Sequence, residues 1–399
     1  MRTIKLDDES RPYGDFYVPR FEVKAGGQGL AESVVRDVIQ VTYKDNIKEI
    51  DGFDIIVSNW NSATRTFRYI GSETTQSLGA RSSDAQLYRM FEPCAREFEL
   101  SMGYGSTLTR MVKGTCTTLE PIFPAGGSPT LTVRVLNVLH KLRRKKKQRS
   151  FTNQTPSQIA EKIGADLPLP IVVEPRQPED QLEYVAQTDQ FDIDFLVLLA
   201  RSVGYVVYVA QRPTKDRKKM QDFLFFGVSD GATSSRRSVT YELRWGISLI
   251  DFKPTLATAN QVKSVELRGW DREKNKAIRA KVDLRDKDIK VNEDLLDIID
   301  RSDCQPREDV VVNEPMRTPQ QARQRALALL GDKLKEFVTA EGTTIGLPDL
   351  RAGQRLKISG VGARFSGLYF VTESTHTIDE KGYSTRFKAR REQPEEGTA

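Results

Sequence analysis

The histidines and cysteines of this chain are too few and too scattered to indicate a catalytic or metal-binding centre. His140 and His376 are its only histidines, and neither belongs to a metal-binding motif such as His-Glu-x-x-His. Cys94, Cys116 and Cys304 are an odd number, lie far apart and form no Cys-x-x-Cys motif. We expect three reduced thiols, with Cys116 as a small buried side chain rather than a nucleophile. We expect His376 to lie on the surface of a sheet.

Two glycine pairs are possible phosphate-binding turns, but their surroundings do not favour that role. Gly103-Tyr-Gly105 and Gly360-Val-Gly362 lie inside strand-like segments. Neither is followed by a helix whose N-terminus would bind a phosphate. The chain also has no Walker A sequence. We therefore predict turns at these glycines and no cofactor-binding residues.

Carboxylates are the remaining candidates for chemistry, since a pair of them can hydrolyse a glycosidic bond or several can hold a cation. They cluster at Asp189, Asp192 and Asp194, and again at Asp294, Asp297 and Asp300. The first cluster surrounds a predicted helix start, where negative charge interacts favourably with the helix dipole. We therefore predict no catalytic and no metal-binding residues.

The segment 141–149 is the strongest candidate for a nucleic-acid contact. Seven of its nine residues are Lys or Arg, a density of positive charge that can neutralise phosphates. However, no aromatic residues are interleaved for stacking on bases, and a net charge of +6 over 399 residues is only a mild bias. We predict that the segment links two domains in solvent or faces an acidic partner.

The elements that must position these residues are mostly strands. Alternating apolar and polar residues predict a β-barrel over the first 140 residues. Its predicted strands are residues 14–24, 38–43, 53–57, 97–104, 107–115 and 130–136. Residues 60–93 are polar and lack a clear period, which predicts a long loop.

Helices are predicted in the middle and last parts of the chain. Thr155-Pro-Ser-Gln158 is typical of a capping box at a helix start, and a second helix is predicted over residues 192–202. A further capping box at Thr318 predicts a helix that ends near residue 338. Strands are predicted at residues 205–209, 241–245, 249–252, 263–270 and 276–282 and in three segments near the C-terminus, and residues 283–317 are charged and irregular.

Length and composition complete the prediction of fold class. A chain of 399 residues exceeds one ordinary core, and 38% hydrophobic with 29% charged residues is typical of a folded, soluble protein. No segment is apolar enough to cross a membrane, and the charged N-terminal residues have no apolar stretch, so we expect neither a transmembrane helix nor a signal peptide. We predict an α+β, mainly β, fold. Its domains are a barrel at 1–147, an α/β domain at 148–240, and a barrel at 241–399 with a helix-containing insertion near 285–340.

Three segments resemble a known family. Residues 181–209 resemble the phage late control D family and the hub portion of the VgrG spike proteins, in which an acidic helix bearing Phe and Leu precedes a strand that begins with Gly and an aromatic residue. Residues 130–163 are similar to the family's preceding segment. Residues 351–391 are similar to its closing strands, and Asp271 after Gly-Trp also fits.

The resemblance implies a structural role. Such hubs are homotrimers in which each subunit contributes two barrels that resemble the tail-tube protein, so that a three-fold ring joins a six-fold tube. The expected function is a baseplate hub subunit of a contractile phage tail or phage-tail-like injection particle, assembled in the bacterial cytoplasm and not an enzyme. The implied partners are two further copies, the tail-tube protein, a separate spike protein, other baseplate proteins and the tape measure protein. The family implies no cofactor, no membrane insertion by the chain itself, and nucleic acid only as passing cargo.

Two other functions remain open at this point. One is a nucleic-acid-binding β protein, for which residues 141–149 are the only support. The other is a cell-wall-degrading tail component, which would require a lone acidic pair in a cleft. Because unpaired edge strands need partners, we also predict that residues 97–136 and 365–390 form the trimeric ring.

Overall fold

The computed structural model of the chain describes residues 2–5, 18–47, 50–71, 87–143, 145–175, 179–213, 220–228, 239–258, 262–271, 274–289, 296, 298, 307–312 and 318–391. Cys304 and the second predicted carboxylate cluster, Asp294, Asp297 and Asp300, lie outside the described residues. The structure is 55% strand and 17% helix, which confirms the prediction of a mainly β fold.

Twenty-four strands are described. They are β1 Arg2–Lys5, β2 Pro19–Ala25, β3 Gln28–Gly29, β4 Val38–Asn46, β5 Gly52–Ser58, β6 Trp60–Asn61, β7 Thr66–Phe67, β8 Glu97–Tyr104, β9 Thr107–Ile122, β10 Thr130–Asn137, β11 Lys147–Gln154, β12 Ile171–Glu174, β13 Leu182–Gln190, β14 Tyr205–Pro213, β15 Met220–Val228, β16 Val239–Arg244, β17 Leu249–Leu256, β18 Val262–Asp271, β19 Lys276–Asp283, β20 Arg307–Val311, β21 Val338–Ile345, β22 Arg355–Ser359, β23 Gly367–Asp379 and β24 Gly382–Arg391.

Two of the described helices begin at the predicted capping threonines. The helices include α1 Glu32–Arg36, a 3₁₀ helix Val138–Arg143, α2 Pro156–Gly164, α3 Asp192–Ser202 and α4 Pro319–Lys335. At α2 the Thr155 hydroxyl accepts from the Gln158 N–H and the Gln158 side chain accepts from the Thr155 N–H, which confirms the capping box. At α4 the Thr318 hydroxyl accepts from the Gln321 N–H. Gly204, with φ of 78°, follows α3 in the left-handed region that favours glycine.

Eight antiparallel strands from the two ends of the chain form the centre of the largest sheet. Their spatial order is β17–β21–β24–β23–β4–β5–β10–β9, and we call this set the eight-strand sheet. The β23–β4 pair, with His376 opposite Tyr43, joins the C-terminal half to the N-terminal half. Beyond the eight, β8, β2 and β3 continue from β9, and β22, β16 and β1 continue from β23.

Alternation along these strands places one face of the eight-strand sheet in two apolar cores. In the N-terminal core, Phe53 and Ile55 of β5 pack with Leu131 and Val133 of β10. The C-terminal core takes its buried residues from β21, β22, β23 and β24 and from α4. Because side chains in a strand point to opposite faces in turn, the intervening residues point away from the cores.

Residues of the middle segment form a third core between short sheets and two helices. Strands β12, β15 and β14 form one sheet, and β11 pairs with β13. Ile159 and Ile163 of α2 pack there with Phe195 and Leu199 of α3. In the C-terminal half, α4 covers a separate sheet of β19, β18 and β20.

Two predictions about local structure are wrong. Residues 60–93 are not only a loop, because they contain β6 and β7 and supply Tyr69 and Phe91 to the N-terminal core. Residues 283–317 contain β20, which pairs in parallel with β18. The apolar residues in both segments are too sparse to show a period, so only the packing reveals their role.

The structure also differs from the predictions of closed barrels and of unpaired ring strands. Among the described residues the strand pairs do not close into a barrel. Strands β23 and β24, within the predicted 365–390 segment, have neighbours on both sides inside the chain. They are therefore not edge strands, so the expectation that they have unpaired edges is wrong, whereas the ring itself stays a prediction. Nothing in the strand pairing tests the predicted domain boundaries at 147 and 240.

Candidate assembly interface

One face of the eight-strand sheet is mainly polar. Its side chains alternate with the buried ones and lie opposite each other across neighbouring strands. Those that are polar or charged include Lys253, Thr255, Glu341, Thr343, Arg386, Lys388, Glu373, Thr375, Thr42, Lys44, Asp54, Thr132, Arg134, Thr118 and Glu120. The face is continuous across the β23–β4 pair, so both halves of the chain contribute to one surface.

Ion pairs balance the charges of this polar face. They join neighbouring strands as Arg386–Glu341 at 3.1 Å, Lys388–Glu373 at 3.2 Å and Arg134–Asp54 at 2.9 Å. Such exposed pairs add little stability, typically about 0–1 kcal/mol each. Their main effect is to leave a hydrated surface without a strong net charge.

The eight-strand sheet ends in two open edges. On one side, β17 pairs only with β21 among the described strands. On the other, β9 is covered by β8 through Thr115, and residues 117–122 pair only with β10. Each open edge carries a proline, Pro254 in β17 and Pro121 in β9, and proline is tolerated in a sheet mainly at edges because it lacks an N–H.

The two halves of the eight-strand sheet have the same topology. When β4, β5, β8, β9 and β10 are numbered first to fifth in chain order, their spatial order in the sheet is first, second, fifth, fourth, third. Strands β17, β21, β22, β23 and β24 repeat that order. In this comparison β17 corresponds to β4, and β9 corresponds to β23.

Bulges align the two halves residue by residue. Ile39 in β4 and Ile250 in β17 are each skipped in the pairing with the next strand, and both side chains are exposed. Thr117 in β9 and Thr372 in β23 are likewise skipped. Both threonine hydroxyls donate to a carbonyl of the partner strand, Thr117 to Arg134 at 3.4 Å and Thr372 to Lys388 at 3.1 Å. A β-bulge bends its strand and changes the direction of the side chains. Bulges at matching positions therefore indicate that the two halves of the sheet repeat the same local structure.

A buried polar cluster fastens the β23–β4 junction. The Arg351 guanidinium donates to the Asp45 carboxylate at 2.5 Å and also to the Tyr43 hydroxyl and the Met111 carbonyl. The Asp45 side chain is 1% exposed. No sequence pattern indicates this cluster, because Arg351 and Asp45 lie 306 residues apart and neither belongs to a motif.

His376 lies inside this cluster, so its predicted position on the sheet surface is wrong. Its side chain is fully buried, with Nε2 3.0 Å from the Leu350 carbonyl and Nδ1 3.0 Å from the Tyr383 hydroxyl. Burial, followed by the positive charge of Arg351, lowers the pKa of His376 to about 3. The histidine is therefore neutral at physiological pH.

Exposed apolar side chains flank both open edges. At the end of β9, Ile122 is 48% and Phe123 is 58% exposed, and the Phe123 ring lies 5.5 Å from that of Phe67. At the start of β17, Trp245 is 60% and Ile250 is 63% exposed. Exposed apolar side chains beside the open edge of a sheet are typical of an interface with another chain.

The basic segment 141–149 faces acidic groups of its own chain. Arg149 and Lys147 both contact the buried Asp192 carboxylate, the latter at 2.9 Å, and Lys146 contacts Asp189 at 2.9 Å. Arg143 contacts Asp194 at 2.8 Å. The segment is part of the 3₁₀ helix and of β11 rather than a free linker, which corrects that prediction. The first carboxylate cluster is at the start of α3, as predicted, but its charge is balanced mainly by these cations.

The remaining candidate residues are separate from each other. Cys116 is buried in β9, as predicted, and its thiol donates to the Phe91 carbonyl at 3.2 Å. Burial raises the pKa of Cys116 to about 11. Cys94 is exposed, and His140 in the 3₁₀ helix contacts the carbonyl of its neighbour Asn137. The part of the chain that the structure describes contains no group of three or more potential metal ligands and no helix apolar and long enough to span a bilayer.

Solved structures with the same fold are tail and secretion-system proteins. The 43 kDa tail protein of prophage MuSo2 from Shewanella oneidensis superposes with a TM-score of 0.62 at 15% identity, covering 94% of this chain and 98% of that one. A tail protein from Neisseria meningitidis MC58 gives 0.63 at 13% identity over 94% and 97% of the two chains. The E. coli c3393 protein, described as a component of the type VI secretion system similar to the phage T4 tail proteins gp27 and gp5, gives 0.55 at 14% identity over 93% and 77%. At these identities the likeness shows a shared fold.

The protein family whose sequence model matches this chain has a name that does not refer to phage tails. No curated protein sequence matches the chain. A family model described as the Alg8 N-terminal domain matches residues 18–380, and its name refers to a glycosyltransferase-related family. The match does not test the more specific resemblance to the late control D family, which stays a prediction. Because the matched segment spans most of the sequence, this chain belongs to the Alg8 N-terminal domain family.

Proposed function

We propose that this protein is a structural hub subunit of a phage tail or a tail-like injection particle, without enzymatic activity. The observation that carries the proposal is the eight-strand sheet, which has a polar face and two open edges. Whole-chain likeness of the fold to phage tail proteins supports the same role. In this role three copies form a ring that joins a six-fold tail tube to a three-fold spike.

The number of strands favours closure of the sheet into a ring. In a sheet of eight alternating strands, the first and last strands, β17 and β9, run in opposite directions. The β17 edge of one copy can therefore pair antiparallel with the β9 edge of the next, and every pair around the ring remains antiparallel. Three copies contribute twenty-four strands, which at a spacing of about 4.8 Å give a circumference of about 115 Å. Closure also removes both open edges.

The polar face suits the inside of such a ring. Ion-paired charges and threonines, such as Lys388 with Glu373 and Thr375 beside them, keep the wall hydrated. A wall without a dominant charge or an apolar patch gives passing cargo of either sign little to bind. The repeated topology of the two halves supports the idea that each copy supplies two equivalent, tube-like units.

Mass and shape in solution test this proposal. We expect light scattering over a concentration series to show conversion of monomer to trimer, and negative-stain images to show rings with three-fold symmetry. Addition of the tail-tube protein from the same particle should produce stacked particles. A chain that stays monomeric at the highest concentration, both alone and with the tube protein, contradicts the proposal. A particle with two-fold symmetry contradicts it as well.

A further inference from the structure

The chain carries its own template for the contact between copies. Within one chain, the fourth strand of the C-terminal half, β23, pairs with the first strand of the N-terminal half, β4. The equivalent fourth strand of the N-terminal half is β9, and the equivalent first strand of the C-terminal half is β17. Both have open edges, at residues 117–122 and 249–256. The same junction is therefore available a second time, between copies.

We propose that the seam between copies repeats the β23–β4 junction in register, with Pro121 opposite Pro254, and that this proline pair makes the seam weaker than the internal junction. The proposal rests on the trimeric ring proposed above. The matching bulges set the register, because Thr117 corresponds to Thr372 and Ile250 to Ile39. The resulting seam pairs are Thr118 with Ala257, Leu119 with Leu256, Glu120 with Thr255, Pro121 with Pro254, and Ile122 with Lys253.

This register agrees with the chemistry of both edges. Leu119 and Leu256 are both half-buried on the core side and become opposite neighbours, so the seam buries them together. On the polar face, Glu120 lies diagonally across from Lys253, within reach of a long side chain. Both are exposed. Within the chain the charge of Glu120 acts on Arg134, whose guanidinium is already paired with Asp54. A shift by four residues that places Asp251 opposite Glu120 would oppose two negative charges.

The proline pair falls where the internal junction has hydrogen bonds. The Ile47 N–H donates to the Thr372 carbonyl at 3.1 Å. Hydrogen-bonded pairs recur at every second residue of an antiparallel ladder, so His376 opposite Tyr43 is also such a pair. The equivalent seam pair is Pro121 with Pro254, in which neither residue has an N–H to donate.

The seam also lacks the buried polar cluster of the internal junction. Asp45, which anchors Arg351, corresponds to Leu256 in the seam, so no ion pair forms there. Two hydrogen bonds fewer and no ion pair make the seam the weaker junction. Prolines on both edges also protect the free chain from pairing with unrelated strands, which is a known protection of edge strands. Rings then form when copies are brought close together rather than in dilute solution.

Disulfide trapping tests the register. In a background with Cys94 and Cys304 changed to Ser, the pair Glu120→Cys and Thr255→Cys should form disulfides between copies. Because the ring closes with three copies, the largest crosslinked product should be a trimer. The pair Lys44→Cys and Thr375→Cys occupies the equivalent positions of the internal junction, where the two residues are opposite each other, and should form a disulfide within one chain. The pair Glu120→Cys and Asp251→Cys is the out-of-register control. Preferential crosslinking of that control overturns the register while leaving the trimer intact.

Substitution of the prolines tests the weak seam. We expect the double variant Pro121→Thr and Pro254→Thr to assemble at a several-fold lower concentration than the wild type, because two N–H donors are restored. Pro124→Thr, in the loop after β9, is the matched control and should leave the assembly concentration unchanged. Thermal unfolding of dilute protein checks that the variants fold. If the double variant assembles no better than the wild type, the role of the prolines is wrong. If all variants stay monomeric with the tube protein present, the proposed function fails too.

Discussion

The Arg351 guanidinium and the Asp45 carboxylate form a buried ion pair, 2.5 Å from Nε to Oδ2, between the loop before β22 and strand β4. This pair joins the two halves of the chain at the centre of the eight-strand sheet. It lies beside the β23–β4 pair, which is also joined by a backbone ladder and by a hydrogen bond from the Asn46 side chain to Glu373 at 3.3 Å. The stability of the junction between the halves therefore depends on an ion pair that no sequence motif predicts.

Removal of Arg351 should destabilise the chain strongly. We expect Arg351→Met to lower the free energy of unfolding by about 3–5 kcal/mol, because Asp45 stays buried without its partner. Urea unfolding followed by tryptophan fluorescence measures the loss. Arg386→Met removes an exposed ion pair with Glu341 and should cost less than about 1 kcal/mol. The double variant Asp45→Asn and Arg351→Met should recover part of the loss; if it is additive, the two residues are not coupled.

The buried His376 should make stability depend on pH. Its pKa is about 3 in the folded chain and about 6.5 when unfolded, so between these values only the unfolded state binds a proton. Stability therefore falls as pH decreases from about 6.5 toward 3, with a slope of about 1.4 kcal/mol per pH unit from this group. We expect His376→Gln to have a shallower slope between pH 4.5 and 6 than the wild type. Imidazole NMR signals, assigned by the same variant, should show His376 neutral at pH 5. A protonated His376 in the folded chain at that pH contradicts the prediction.

Asp192 should contribute more to the stability of the middle segment than the exposed Asp189. Burial alone would raise the pKa of Asp192, but hydrogen bonds from Gln187 and Lys147 and the charge of Arg149 lower it overall. Its contribution to stability is present above its unfolded pKa of about 3.9 and is lost as pH falls through the lower folded value. We expect Asp192→Asn to destabilise the middle segment by about 3 kcal/mol at neutral pH, since Lys147 and Arg149 lose the buried carboxylate and keep only the exposed Asp166 as an ion-pair partner.

Asp189→Asn is the control for this prediction, because that side chain is 66% exposed and its loss should cost less than about 1 kcal/mol. Hydrogen exchange of β11 and β13 measures the change locally. Equal protection in the two variants would show that the cluster around Asp192 carries no special stability.

Gly346 should not tolerate a side chain. A Cβ there would lie 2.0 Å from the Tyr383 ring, which packs 5.5 Å from the Tyr104 ring. We expect Gly346→Ala to destabilise by about 1–3 kcal/mol through overpacking. Gly331→Ala, in the open part of α4, should instead stabilise by about 0.5–1 kcal/mol because alanine favours a helix. Thermal unfolding of both variants checks the opposite signs.

Sequence patterns predicted the local elements well where a single physical rule decides them. The capping box at Thr155 places the start of α2, and alternation places β4, β5, β8 and the first part of β9 within a few residues. The buried position of Cys116 also follows from alternation. In contrast, His376 was expected on a surface, since alternation gives a side chain's face but not what covers that face.

The amino-acid sequence by itself determined which segments become strands or helices and which residues cap them, because those outcomes depend on neighbours within a few residues. Only the tertiary structure decided that β4 pairs with β23, that Asp45 meets Arg351, and that β17 and the end of β9 remain without partners. These outcomes depend on contacts between residues hundreds of positions apart, which pack according to the shape and polarity of whole faces. Periodicity along the chain carries no information about which strand edge lies beside which.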